Sequence, residues 1–388
     1  MGTSKNQLAY HPQYPSVEDL RNKAQKRIPK FAFEYLEGGC NDELNLSRNV
    51  KELREIQFIP QYLTKFKGID MSVKLFGHKY DAPFGIAPIG LQGLIWPNSP
   101  EILAKAALKC NIPFILSTVS TSSIEHIAEV SEGKAWFQLY HPTANEMRDD
   151  IIKRVVSAQF PVLVVLVDVP SFGIRYKDIK NGLSLPPKIS AKNIFQTFTR
   201  PIWGIQTLVN GIPSFKTLEK YMPKNLDLSA LGQFMDQTFT GRVDEDKIKA
   251  IRDTWKGPLV LKGIVNEDDL QKAIRIGVDG IIVSNHGGRQ IDAGESSCRS
   301  LIRLAEKYAS SIKIMVDSGL RSGPDIGRCL ASGACFTFMG RPFMYGVGAL
   351  GKEGGEHTIN ILKVQLQQVM EQLGCENLSD FKNHLIKK

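Results

Sequence analysis

The run Ser284-Asn285-His286-Gly287-Gly288-Arg289 sets an imidazole beside glycines and a guanidinium. His286 is a candidate general base, because a neutral imidazole takes up a proton near neutral pH. Asp168 ends an apolar run far upstream and could fix the imidazole tautomer and raise its basicity. Arg289 and Arg175 are forked cations, the shape that holds a carboxylate where a flexible amine would not. Tyr140 and Tyr35 can donate hydrogen bonds to a substrate oxygen, although Tyr35 taken alone reads better as core packing. This set suits removal of a proton from a small carboxylate.

A second group suits phosphate. Gly319, Gly323 and Gly340 let backbone N–H groups approach an anion, and a helix opening at Ser322-Gly323-Pro324 would offer its positive end. Arg321 and Arg341 add charge-assisted donors. The alternative is that these glycines only make tight turns. The phosphate reading predicts a cofactor whose ring lies toward Lys262, Ser117 and Gln138. No Cys/His spacing suggests a metal, and none is expected.

These residues share one placement. Eight short apolar runs read as strands buried on both faces: 84–89, 114–117, 136–140, 162–168, 259–262, 280–284, 313–317 and 335–339. Helical stretches follow at 100–110, 122–131, 145–158, 244–255, 267–276, 297–308, 324–331 and 355–373. Start signals include Ser99-Pro100, Ser122 ahead of Glu125, and Asn266 ahead of Asp269. Alternation of this kind predicts an α/β fold, a parallel (β/α)8 TIM barrel. An open doubly wound sheet is the alternative, but the first strand runs into Pro88-Ile89-Gly90-Leu91-Gln92-Gly93, not a G-x-G-x-x-G turn. Ser117, Gln138, Tyr140, Asp168, Lys262, His286, Asp317 and Arg341 end or follow strands, the rim where barrel active sites sit.

Residues 1–83 read as a helical arm (17–26, 31–36, 47–55) and an extended lead-in, and 84–388 as the barrel. A long insertion, 177–243, follows the fourth strand. It mixes Phe195, Phe198 and Trp203 with Lys188, Lys192, Arg200, Lys216, Lys220 and Lys224. That composition suits a peripheral membrane contact through 188–224, or equally a lid or a subunit contact.

Composition is ordinary for a globular chain: 388 residues, 42% hydrophobic and 23% charged. The net charge of +9 favours anionic small molecules or an anionic surface. No interleaved basic and aromatic motif suggests nucleic acid. The six cysteines are expected as buried, reduced thiols of a cytoplasmic protein. No signal peptide, myristoylation site or membrane span is expected.

The stretch Ser284 to Asp292, Ser-Asn-His-Gly-Gly-Arg-Gln-Ile-Asp, resembles the signature of the FMN-dependent α-hydroxy-acid dehydrogenases and oxidases. The resemblance runs from about residue 15 to 380. It includes Phe33–Gly39, Trp136–Tyr140, Val167–Pro170, Lys262-Gly263, Asp317–Arg321 and Gly340–Pro342. It implies FMN as cofactor and oxidation of an (S)-2-hydroxy acid to a 2-oxo acid, with a quinone or oxygen as electron acceptor. By the same resemblance His286 abstracts the proton, Asp168 supports it, and Arg289 and Arg175 bind the carboxylate with Tyr35 and Tyr140. Lys262 lies beside the flavin, as do Ser117, Gln138, Ser284 and the backbone of Ala87 and Pro88. Asp317 binds the ribityl chain, and Ser318, Gly319, Arg321, Gly340 and Arg341 hold the phosphate region. A homotetramer is implied. Gly173–Asp178 and Arg200–Trp203 resemble the lactate and mandelate dehydrogenase branch, whose members can touch the inner membrane face. The chain departs from many members at Leu166 (commonly Thr), Val119 (Trp in glycolate oxidase), Ser318 (commonly Gly) and Gly90 (Ala in some).

Overall fold

The computed structural model describes residues 11–183, 190–223 and 228–386. A short antiparallel hairpin, β1 (Val73–Leu75) and β2 (His78–Tyr80), leads into eight parallel strands. These are β3 (Phe84–Ile86), β4 (Ile115–Ser117), β5 (Trp136–Tyr140), β6 (Leu163–Leu166), β7 (Leu259–Ile264), β8 (Gly280–Val283), β9 (Lys313–Val316) and β10 (Phe336–Met339). They pair in the order β3-β10-β9-β8-β7-β6-β5-β4. The remaining edge, between β3 and β4, is joined by one parallel bridge, Ile86 to Phe114. The expected barrel is therefore present and nearly closed, with all eight expected strands in it.

The strands hold Val, Ile, Leu and Phe because both faces are buried. Inward side chains of Val164, Val260, Ile282, Met315, Phe336 and Phe338 pack together with Trp136. The β1–β2 hairpin closes this layer from below. Leu75 and Tyr80 join it, and the Trp136 indole donates to the Tyr80 hydroxyl at 3.1 Å. Outward side chains pack under the helices as a separate layer.

Helix starts follow local chemistry. The Asn266 side chain accepts from Asp269 N at 2.9 Å, as expected. The helix Ile124–Val130 is capped by Ser123, which accepts from His126 N at 3.1 Å, and not by Ser122. Helix Arg341–Leu350 is not among those expected, because Gly346 and Gly348 weaken its pattern. Gly346 is there for packing: a Cβ on it would lie 2.1 Å from Thr358 Oγ1. Four cysteines are buried, while Cys110 and Cys335, at the ends of a helix and of a strand, are half-buried and not fully buried as expected.

The arm forms three helices, α1 (Val17–Arg27), α2 (Lys30–Glu37) and α3 (Leu44–Arg54). Its buried side chains belong to the main core, so it is packed on the barrel. The insertion is also helical, at Tyr176–Lys180, Ala191–Phe198, Pro201–Asn210 and Leu228–Phe239. Lys188 and Lys224 lie outside the described residues. Among the described residues no helix is long and apolar enough to cross a membrane.

Candidate active site

β8 ends at Val283 and the chain turns sharply. His286 has φ +58° and Ser318, after β9, has φ +76°, both left-handed values that disfavour side chains. Hydrogen bonds hold the two turns together. His286 N donates to Ser284 Oγ at 3.1 Å, and Gly287 N donates to Ser318 Oγ at 2.9 Å. This conformation carries the imidazole over the barrel mouth, with Nδ1 3.1 Å from Asp168 Oδ1. Burial pushes the Asp168 carboxyl up, but His286 and then Lys262 outweigh it and hold it below the usual range. Gln290, which the sequence reading did not assign a role, donates to the carbonyls of Asp168 (3.2 Å) and Ser171 (3.0 Å). It thereby fixes the strand end that carries Asp168.

Lys262 projects from β7 into the mouth and is buried. Its ammonium donates to Ser284 Oγ at 2.8 Å and pairs with Asp317 Oδ2 at 3.0 Å. Ser318 Oγ donates to the other oxygen of Asp317 at 2.8 Å. Burial alone would lower the lysine, but Asp317 and Asp168 raise it, so it stays a cation. Ser318 is thus more than a tolerated replacement for glycine: it joins the histidine turn to the Lys262–Asp317 pair.

Arg289 and Arg175 lie against the ring of Tyr35, at 5.2 Å and 5.8 Å from its centroid. Tyr35 comes from α2, so the arm supplies part of the site. One nitrogen of Arg289 donates to the carbonyls of Tyr35 and Gly38, both at 2.8 Å. Burial and then Arg175 push Arg289 down to about 9, the mark of like charges held together out of water. A substrate carboxylate would relieve that repulsion. Burial, then Asp168, pushes the Tyr140 hydroxyl well up, so it remains a hydrogen-bond donor at neutral pH.

At the far end Arg321 and Arg341 stand together, with Gly319 and Gly340 lining the same cavity. Burial and then Arg321 push Arg341 down to about 10. The Arg341 fork is anchored on carbonyls of Leu36 (2.9 Å), Gly38 (2.9 Å) and Gly287 (3.1 Å). One expectation is corrected. The helix Gly323–Ala331 does not offer a free positive end, since Gly323 N donates to Gln365 Oε1 and Arg321 N to Asp325 Oδ2, both at 2.9 Å. A Cβ on Gly323 would also lie 2.4 Å from Leu366 N, so this glycine admits the last long helix and not an anion. The paired cations still fit a phosphate at this end, and buried Lys262 fits an anionic ring beside it.

The cavity is lined by Tyr35, Tyr140, Arg175, Lys262, His286 and Arg289 toward one end. Ala87, Pro88, Asp317, Ser318 and the phosphate-end residues line the rest. Asp168 and Ser284 support it from behind, through His286 and Lys262. Ser117 and Gln138 pair in register on β4 and β5 and are buried beside the cavity without lining it. The remaining wall is apolar: Val119, Phe172, Phe215, Met235 and Leu183. Met235 and Phe215 come from the insertion, so part of it roofs the cavity. Leu166 is buried and carries no side-chain donor. Gly90 abuts Val119; a Cβ there would lie 2.7 Å from Val119 Cγ2. Trp203, read from sequence as part of a surface contact, is buried: its indole donates to Ile95 O at 3.0 Å and stacks edge-on against Phe31. It anchors the insertion on the barrel.

Comparison with known proteins agrees with this geometry. The FMN-dependent dehydrogenase family pattern matches residues 24–388. An L-lactate dehydrogenase of Haemophilus influenzae (strain PittEE) is 36% identical over 368 residues, 95% of this chain and 96% of the relative. One of Vibrio parahaemolyticus is 34% identical over 371 residues, 95% and 98% of the two chains. The solved monotopic membrane protein (S)-mandelate dehydrogenase superposes with a TM-score of 0.91 at 31% identity, covering 97% of this chain and all of the other (100%). A mandelate oxidase gives 0.83 at 28% identity, with coverage of 97% and 98%.

Proposed function

The chain belongs to the FMN-dependent dehydrogenase family, and on that footing we propose that it oxidises a 2-hydroxy acid to the 2-oxo acid at the His286 site. The observation that carries this is the His286–Asp168 contact of 3.1 Å at the same mouth as Arg175 and Arg289. Bound FMN supplies the two-electron acceptor. Arg321 and Arg341 would hold its phosphate, aided by the backbone of Ser318, Gly319 and Gly340. Lys262 would lie beside the ring, where a fixed cation would stabilise negative charge. Ala87, Pro88 and Asp317 would complete that side, with Ser117, Gln138 and Ser284 buried beside it. Arg289 and Arg175 grip the substrate carboxylate, and Tyr140 and Tyr35 donate to its oxygens. His286 takes a substrate proton on Nε2, since Nδ1 faces Asp168, and Asp168 stabilises the resulting imidazolium, while the two electrons of the oxidation would pass to bound FMN. The test is anaerobic mixing of yellow holoenzyme with (S)-2-hydroxy acids. Bleaching is expected; an oxidised spectrum with every hydroxy acid would refute the reading.

For the acceptor we infer a quinone reached at a membrane surface. Support comes from the insertion, where Phe195, Phe198, Leu208 and Ile212 are exposed by 69%, 79%, 83% and 86%. Exposed apolar surface of this extent marks an interaction site. Lys192 is exposed on the same helix as Phe195. The holoenzyme should float with anionic vesicles and reoxidise faster with a quinone analogue than in air. Rapid oxidation by air, with no flotation, would make it an oxidase instead.

A further inference from the structure

One buried carboxylate beside the cavity has no part in the chemistry above. Asp178 lies on the short helix Tyr176–Lys180, and its side chain is only 3% exposed. Its Oδ2 sits 3.1 Å from Arg175 Nε and 3.9 Å from Arg289 Nη2. Neither of its oxygens has a hydrogen-bond partner of good geometry among the described residues. It is therefore held by charge, between the two guanidiniums that face the cavity. Burial pushes its carboxyl up, and the two arginines only partly offset this. A buried anion in such a place is costly unless its charge is used.

We propose that Asp178 is a positioning and specificity-determining residue that sets the charge of the carboxylate pocket. Two guanidiniums and one carboxylate leave a single positive charge. The nearby Glu43 does not change this, because its carboxylate is paired with Lys177 at 2.6 Å. The Lys262–Asp317 pair is matched within itself, and the Asp168 carboxylate faces His286 Nδ1 at 3.1 Å rather than the two guanidiniums. One substrate carboxylate therefore neutralises the pocket, and a second would be left without a partner beside the apolar wall of Val119, Phe215 and Met235. Asp178 thus selects 2-hydroxy monocarboxylates over dicarboxylates, in part by making the second charge unwelcome.

The inference rests on the hydroxy-acid reading of the cavity, and the experiment separates the two. Holoenzyme carrying Asp178→Asn, Asp178→Ser or Asp178→Glu is compared with the parent protein. One readout is the ratio of kcat/KM for (S)-lactate to that for (S)-malate. A second, independent of turnover, is the ratio of Kd for propanoate to that for succinate, from the shift in flavin absorbance. Removing the anion adds one positive charge to the pocket, so Asn and Ser should move both ratios about tenfold toward the diacid, given roughly 6 Å between the charges and partial screening. Glu keeps the charge and should leave both ratios near the parent values. Equal loss for monoacids and diacids in all three variants would mean a purely structural role and overturn the proposal. A shift in the Kd ratio with no reduction by either hydroxy acid would keep the charge assignment and sink the enzymatic reading.

Discussion

Nδ1 of His286 lies 3.1 Å from Oδ1 of Asp168, while Asp168 Oδ2 is buried without a hydrogen-bond partner among the described residues. The carboxylate is committed to the imidazole. His286→Gln should keep bound flavin and lose about 10²–10⁴ in the rate of flavin reduction, the usual weight of a general base. Stopped-flow reduction under anaerobic conditions measures it, and a parent-like rate would remove His286 from the chemistry. Asp168→Asn should slow the same step with little change in flavin content.

Arg289 uses one nitrogen on the carbonyls of Tyr35 and Gly38 and still lines the cavity. A lysine cannot do both. Arg289→Lys should raise KM by roughly 10-fold to 100-fold, the loss of about 1.5–3 kcal/mol for a hydrogen bond to a charged group. Steady-state kinetics on one hydroxy acid would show it. An unchanged KM would mean that the carboxylate binds elsewhere.

Gly90 has no room for a methyl group beside Val119. Gly90→Ala should destabilise by about 1–3 kcal/mol, as overpacking does, and shift the flavin spectrum. Gly90→Ala with Val119→Ala should recover much of that loss, a coupling that a double-mutant cycle in urea reads directly. Additive effects would contradict the contact.

Acid stability has a definite sign. Asp168 and Glu37 both titrate below their ordinary values in the fold: for each, burial raises the carboxyl, but His286 in one case and Arg21 in the other outweigh it. An acid depressed by folding stabilises above its unfolded value, about pH 4, and loses that contribution as pH falls through the folded value. The thermal midpoint should therefore drop steeply below about pH 4, and less steeply in Asp168→Asn. Equal slopes would show that the pair contributes nothing to the acid limb.

The barrel was legible because its strands are short, apolar and regularly spaced, and because their polar ends fall on one rim. The pairing of His286 with Asp168 was legible for the same reason. Asp178 and Gln290 were not, because their roles depend on contacts with distant residues that no local pattern announces. Gln290, after β8, reaches past β7 to the carbonyls of Asp168 and Ser171, after β6. Trp203 misled in the other direction. An aromatic among lysines looks like a surface feature, but only the helix face decides, and Trp203 turns inward while Phe195 and Phe198 turn out. Gly323 likewise looked like an anion turn and proved to be a seat for Leu366.

The hairpin of Leu75 and Tyr80 stoppers the barrel at the end away from His286. Above it the barrel is filled by Trp136, Met315, Phe336 and Phe338, so the cavity has no exit through its floor. On the proposed reading the keto acid keeps the carboxylate that Arg175 and Arg289 hold in the hydroxy acid, both of them lining that cavity. Product and substrate should therefore compete for one pocket, and the 2-oxo acid is expected to inhibit competitively against the hydroxy acid.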